Sequence, residues 1–437
     1  MRVLHLIQRF PPAIGGAEQW CHGATQYLIR RGHSVDVLAL RVAQEGALWG
    51  LPDSPGHVAV GAVDLYPGLH VRRCAPGQTP QGLRRLLDRF GGRLAGRYSA
   101  ELFGRALRAA RRADVVHLHH HTVVLSLWGF LAARMTGRPA VITSHVHWGD
   151  PSSEQPLGWW LLRHCDAAIA VTQYEADRYA SGGVPREKIV ISTNAVDIDS
   201  FEAASLEKRR VEVRERLCIG RDERVVTFIG RKTLTKDLPV LLEAAQHVAR
   251  SRGIVLLLLG PRSQEWTPPA SVSNGSKLRV IDLPAVPEGA KMAALAASDV
   301  VVQPSWREAF GIVFLEAWAS GVPPIGAQWG AIPEVIGDAG LTFEKGNALD
   351  LASKLDWILD HPHEARDMVA RGQERLRNTH TWDCVGRAVE QAYEIARRRH
   401  GGPRDIGAKR PPRSESTAGR HPVASSESAH AERRDRR

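Results

Sequence analysis

The chain has no apolar run approaching the roughly 18 to 20 residues that cross a bilayer as a helix, so no membrane-spanning helix is expected. Cysteine is scarce. Cys21, Cys74, Cys165, Cys218 and Cys384 are odd in number, widely scattered and without a CxxC pair, which excludes a disulfide framework and a spaced cysteine zinc site. The glycines after the first strand-like run do not form GxGxxG, so a dinucleotide cofactor is disfavoured. The amino terminus has neither a cationic leader nor a cleavage site, and a cytoplasmic location is expected. Basic residues are not interleaved with aromatics and no recognition motif is present, so nucleic acid is not an expected partner.

What is present reads as a soluble globular protein. At 437 residues, 43% apolar and 24% charged, the chain is long enough for two domains of roughly 150 residues plus additions. About half of the formal charge of +11 falls beyond Arg398. There the sequence loses its large apolar residues, and residues 401–437 are expected to be a disordered basic tail. Upstream, strand-like runs at 2–7, 34–40, 115–118, 140–144, 167–171 and 189–192 alternate with helix-length segments, the first at about 16–31. A second series starts at 225–229 and continues at 254–259, 278–281, 300–303 and 324–325. Strands alternating with helices imply doubly wound parallel sheets. Asn194 to Phe201 is polar and turn-rich and reads as the crossing between two lobes. The expected division is 1–195, 196–376, a closing helix at 377–400 and the tail.

Three segments carry candidate chemistry. From Pro304 to Gly321, the pattern puts Glu308 in a loop after a buried strand, Gly311 at a helix start, Glu316 inside the helix and Gly321 at its stop. The backbone N–H groups of Phe310, Gly311 and Ile312 would leave that start unpaired and favour phosphate, and the two carboxylates suit sugar and ribose hydroxyls. The bland alternative is a solvated helix start. From Val225 to Lys236, a strand ends in Gly230, Arg231 and, five residues on, Lys236, cations suited to a diphosphate; ordinary surface cations are the alternative. Gly15 and Gly16 permit close backbone approach to a ligand, or form a plain turn. His117, His119 and His121 alternate along one strand and His145 and His147 follow another, so all are expected to reach the crevice between the lobes. No acidic or cysteine partner has metal spacing here, and Asp197 and Asp199 lie in the crossing. No metal is expected.

Together these segments resemble glycosyltransferase family four, the retaining group with the GT-B fold. Glu308 and Glu316 match the family's acidic pair separated by seven residues, with the preceding Pro-Ser and the internal Phe-Gly. Gly230, Arg231 and Lys236 match its Gly-Arg and following Lys; Gly15, Gly16 and Glu18 its Gly-Gly-x-Glu; Thr143 and His145 its Thr-x-His. Gly330 to Glu334 and Trp382 also fit, and the likeness runs from residue 1 to about 400. The resemblance implies an α/β protein of two Rossmann-like domains facing a central cleft, acceptor-side first and donor-binding second. It implies a metal-independent, hexosyltransferase-type enzyme that transfers sugar from a nucleotide-sugar donor to a sugar or lipid-linked acceptor in polysaccharide, glycolipid or glycoconjugate synthesis. Glu308, His145, Arg231 and Lys236 then form the reacting centre, while Gly15, Gly16, Phe310, Gly311, Ile312 and Glu316 bind the donor.

Two departures stand out. Ala195 replaces the usual glycine of the crossing, costing about 1 kcal/mol if that turn needs positive φ, and the usual Gly-x-Gly-Pro is reduced to Gly260, Pro261 and Arg262. A GT-B epimerase and a non-catalytic nucleotide-sugar binder are the rival readings. Between Leu83 and Leu94 apolar residues line one helical face, with Arg84, Arg85, Arg89 and Arg93 elsewhere. Such a helix either rests peripherally on an anionic membrane or packs on the sheet, and Gly91 and Gly92 favour the second.

Overall fold

The computed structural model describes residues 1–13, 15–41, 62–75, 82, 100–201, 203–263, 266 and 277–401. The amphipathic segment at 83–94 and the tail beyond Gly401 lie outside them. The first half contains β1 Arg2–Leu6, α1 Gly16–Arg30, β2 Ser34–Leu40, β3 Ala62–Tyr66, β4 Leu69–Cys74, α2 Ala100–Ala110, β5 Val115–His119, α3 Val124–Met135, β6 Ala140–Thr143, α4 Pro156–His164, β7 Ala167–Ala170, α5 Gln173–Ser181 and β8 Ile189–Ile191. These strands form a sheet in the order β3-β4-β2-β1-β5-β6-β7-β8, with only β3 antiparallel.

After α6 Ala203–Arg216 the pattern repeats: β9 Arg224–Ile229, α7 Leu238–Val248, β10 Ile254–Leu259, β11 Leu278–Leu283, α8 Glu288–Ala297, β12 Val300–Gln303, α9 Ile312–Ala319, β13 Pro324–Ala327, α10 Ile332–Ile336, β14 Leu341–Phe343, α11 Ala348–Asp360, α12 Pro362–Asn378 and α13 Trp382–Gly401. The second sheet is ordered β11-β10-β9-β12-β13-β14. β10 is apolar and buried at every position, as a strand covered by helices on both faces requires. Strand order reverses between β1 and β5 in the first sheet and between β9 and β12 in the second. Ligands of such sheets bind beyond the strand ends at those reversals.

α13 returns to the first sheet. Its stripe of Val385, Val389, Ala392, Tyr393 and Ala396 joins Val3, Val35, Val141 and Ile169 in one cluster, as a helix with one apolar face dictates. It meets α1 at reciprocal glycines: a Cβ on Gly23 would lie 2.1 Å from the Trp382 ring, and one on Gly386 would lie 2.0 Å from that of Tyr27. Gly386→Val is therefore expected to cost about 1–3 kcal/mol by overpacking. Chemical denaturation checks this, and an unchanged midpoint would deny the close approach.

The Pro-Gly hairpin of β3 and β4 and the three-residue β14 were not among the expected strands. β4 alternates buried and exposed positions but is short, and β14 is too short to carry a period. The penalty expected at Ala195 does not arise: the residue is buried and absent from the left-handed positions, so this crossing needs no glycine.

Candidate active site

The two loops at the reversal of the second sheet meet. After β9 a short 3₁₀ turn, Leu234–Lys236, carries Lys236 back to the strand ends, where its ammonium pairs with the Glu308 carboxylate from the loop after β12. Burial pushes the Glu308 pKa up. The charges of Lys236 and His147 and hydrogen bonds from Lys236 and Ser305 outweigh burial and hold it below the ordinary value. Glu308 is therefore ionised at neutral pH and able to accept hydrogen bonds. Arg231 is exposed at the mouth of the same turn.

Gly311 begins α9 with φ 89, and a Cβ there would lie 2.5 Å from the Phe314 ring. The position demands glycine on both counts. Among the described residues the amide N–H groups of Phe310 and Gly311 have no acceptor, and Ile312 is the first helical residue. Together they form the positive end of a helix dipole beside Glu308. Glu316, buried one turn later, accepts from Lys291 of α8 at 2.7 Å, and Lys291 also pairs with Glu288 at 2.8 Å. Burial raises the Glu316 pKa, partly countered by Lys291.

The first sheet supplies the opposing wall. Gly15 caps α1, and a Cβ on it would lie 2.1 Å from Glu18 Oε2, because the Glu18 side chain folds back to take Arg9 at 2.7 Å. The Gly-Gly-x-Glu motif thus fixes its own loop. Gly16 faces Ile312: a Cβ there would be 3.6 Å from Ile312 Cδ1, so this loop reaches the start of α9. His145 follows β6 with φ 51, and His120 follows β5 with φ 66, a conformation that bulky residues avoid unless the surroundings impose it. Trp20 packs edge-on against His145 at 5.1 Å and donates to Thr193 O at 2.9 Å.

Polar contacts also join the walls. Arg307 bonds Asp150 at 2.7 Å, and the Glu334 carboxylate accepts the amides of Gln173 and Tyr174 at 2.6 and 2.8 Å, at the amino-terminal end of α5. The Glu of the Gly330–Glu334 motif is therefore a fastener between the halves.

One expectation fails. His117, His119 and His121 are wholly buried and do not reach the crevice, because a central strand covered on both faces hides alternate residues on either side. His145 and His147 remain partly exposed. Sequence reasoning missed Lys291, which joins Glu316 only through the packing of α8 on α9. It also passed over Lys232, wholly buried, whose ammonium donates to Gly260 O at 2.7 Å and pairs with Asp282 at 2.5 Å. Beside Arg231 it reads as one more surface cation.

Two doubly wound sheets whose reversals face each other form the GT-B architecture, and the second carries an ion-paired carboxylate beside an open helix start. Residues 14–200 match the family described as Glycosyltransferase Family 4, and residues 210–375 match Glycosyl transferases group 1. The chain belongs to glycosyltransferase family four and is a glycosyltransferase. A D-inositol 3-phosphate glycosyltransferase of Salinispora tropica is 27% identical over 77% of this chain and 75% of its own length. A protein of the same name from Actinosynnema mirum is 27% identical over 88% of this chain and 93% of its own length. The crystal structure of Anabaena HepE with UDP and glucose has the same fold, with TM-score 0.65 and 16% identity over 90% of this chain and 99% of that one. Sucrose-phosphate synthase of Thermosynechococcus elongatus superposes equally, with TM-score 0.65 and 17% identity over 90% of this chain and 98% of that one. Glycosyltransferase relatives disfavour the epimerase and non-catalytic readings. No described helix is long and apolar enough to cross a membrane.

Proposed function

We propose that the protein moves a sugar from a nucleotide-sugar donor to a hydroxyl acceptor, with retention at the anomeric carbon and without a metal. The observation that carries this reading is the Lys236–Glu308 pair set against the open start of α9. The amides of Phe310, Gly311 and Ile312 seat phosphate, and Arg231 and Lys236 take the charge that grows on the diphosphate as its bond to the sugar breaks. Glu308 accepts hydrogen bonds from donor-sugar hydroxyls and faces the positive charge developing on the ring. The acceptor hydroxyl attacks from the face the diphosphate leaves, and its proton passes to the departing phosphate oxygen. His145 touches the sugar beside the reacting carbon, and Gly15 and Gly16 let the loop of the first half approach donor and acceptor.

Glu316 holds the ribose. Residues 196–376 bind the donor, 1–195 the acceptor, and 377–400 close the structure against the first half. The reaction takes place in the cytoplasm, with a sugar or lipid-linked acceptor. The relatives named for D-inositol 3-phosphate make a phosphorylated polyol the first acceptor to try.

Calorimetry separates the two carboxylates. Ribose belongs to donor and product alike, so Glu316→Ala is expected to weaken binding of the bare nucleoside diphosphate about tenfold, the equivalent of a charge-assisted hydrogen bond. Glu308→Gln is expected to leave that affinity within about twofold, less than one hydrogen bond. Equal losses in both variants would refute the assignment.

A further inference from the structure

The buried histidines form a line of contacts ending at His145, with one side contact where Cys21 Sγ lies 3.7 Å from His5 Nδ1. His145 Nε2 lies 3.1 Å from His119 Nδ1, and His119 Nε2 lies 2.9 Å from His5 Nδ1. His5 Nε2 lies 3.4 Å from the Tyr393 hydroxyl, that hydroxyl 2.9 Å from His117 Nδ1, and His117 Nε2 2.8 Å from Thr143 Oγ1. Every ring uses both nitrogens except His145, whose Nδ1 has no partner among the described residues. The line leaves β6, crosses β5 and β1, touches α13 and returns to β6. The His117 and His119 rings stack at 4.5 Å and the His119 and His145 rings at 5.4 Å.

Burial keeps all four rings neutral, lowering the His5 pKa to about 3 and holding His117, His119 and His145 well below the ordinary value. A neutral imidazole has one N–H and one acceptor nitrogen. Each ring therefore hands on the direction of the proton before it, a reversal at Tyr393 would leave that buried O–H without an acceptor, and the direction is set at Thr143. Its buried hydroxyl has no other partner among the described residues. If protons pointed toward it, its own O–H would be buried without an acceptor, at a cost of about 1–3 kcal/mol. If they point away, Thr143 donates to His117, His117 to Tyr393, Tyr393 to His5, His5 to His119 and His119 to His145 Nε2. Every buried proton is used, and the one left over is on His145 Nδ1.

We infer that this line fixes His145 as its Nδ1–H tautomer, so that it offers the donor sugar a hydrogen-bond donor and not a base, with Thr143, Tyr393 and His119 as positioning residues. The inference rests on the proposed place of His145 beside the sugar. A metal would use the same atoms differently: His5 Nδ1, His119 Nε2 and Cys21 Sγ lie within 4.8 Å of one another. The 2.9 Å between the two nitrogens is a hydrogen-bond length, short of the roughly 3.4 Å between ligands of a tetrahedral ion with bonds of about 2.1 Å.

Long-range ¹H–¹⁵N spectra of the full chain labelled with ¹⁵N-histidine test the inference without substrate. His145 is expected as the Nδ1–H tautomer, and Tyr393→Phe or Thr143→Val, each keeping its bulk, should turn it into a tautomer mixture. His119→Asn, whose amide still donates toward His145 Nε2, should keep the tautomer that His119→Phe loses. Turnover in Tyr393→Phe should fall about fivefold, the equivalent of one neutral hydrogen bond, with donor KM little changed. An Nε2–H tautomer in the unaltered chain, no change in Tyr393→Phe and Thr143→Val, or a stoichiometric bound metal with cobalt–thiolate absorption would overturn it. Spectra as inferred combined with full turnover in His145→Ala would support the line of contacts and count against the place given to His145 in the reaction.

Discussion

Lys236→Ala is expected to lower donor turnover by about two orders of magnitude or more, the usual loss when a group stabilising charge in the transition state is removed. Lys236 neutralises Glu308; in the reaction it stands between that carboxylate and the diphosphate, where negative charge grows. A second consequence follows from the same contact. Burial raises the Glu308 pKa and the Lys236 charge is the largest influence against it. Without Lys236 the carboxyl shifts upward, so the acidic limb of the rate profile should move to higher pH. Initial rates of nucleoside diphosphate release across pH measure both. Turnover like that of the unaltered enzyme, or an acidic limb that stays in place, would contradict the role.

Glu308→Gln is expected to reduce turnover by a similar factor, about a hundredfold, with a small effect on donor KM. Gln keeps the size and one acceptor oxygen, so hydrogen bonds made equally to bound donor and transition state largely persist. What is lost is the negative charge facing the ring as it becomes oxocarbenium-like, an interaction that matters only as the bond breaks. Steady-state kinetics distinguish the cases: a raised KM with unchanged kcat would make Glu308 a binding residue only.

The sequence carried the positions of most strands as far as apolar periodicity could, since β9, β10 and β12 are buried runs bounded by turns. It also placed Gly311 and Gly321, both left-handed in the structure, because helix ends are written locally in glycine. The acidic pair and Lys236 were legible through the family resemblance that their spacing carries; taken alone, each also read as ordinary surface charge. Contacts made between distant segments were not. Nothing near Glu316 announces Lys291, 25 positions away, and nothing in the Glu334 motif shows that its carboxylate caps α5 of the other half. The alternation of His117 and His119 was visible, but not the enclosure by β1 and α13 that turns them from candidates for the cleft into a buried line.

The most direct test of the account is incubation of the purified protein with a panel of UDP-, GDP- and ADP-sugars in the presence of EDTA, with mass spectrometry of the products. The account predicts binding of one nucleotide class and release of its nucleoside diphosphate, slow with water and fast with an accepted hydroxyl compound, at the same rate with and without chelator. Activity abolished by EDTA and restored by Mn²⁺, or no binding and no release from any donor of the panel, would contradict it.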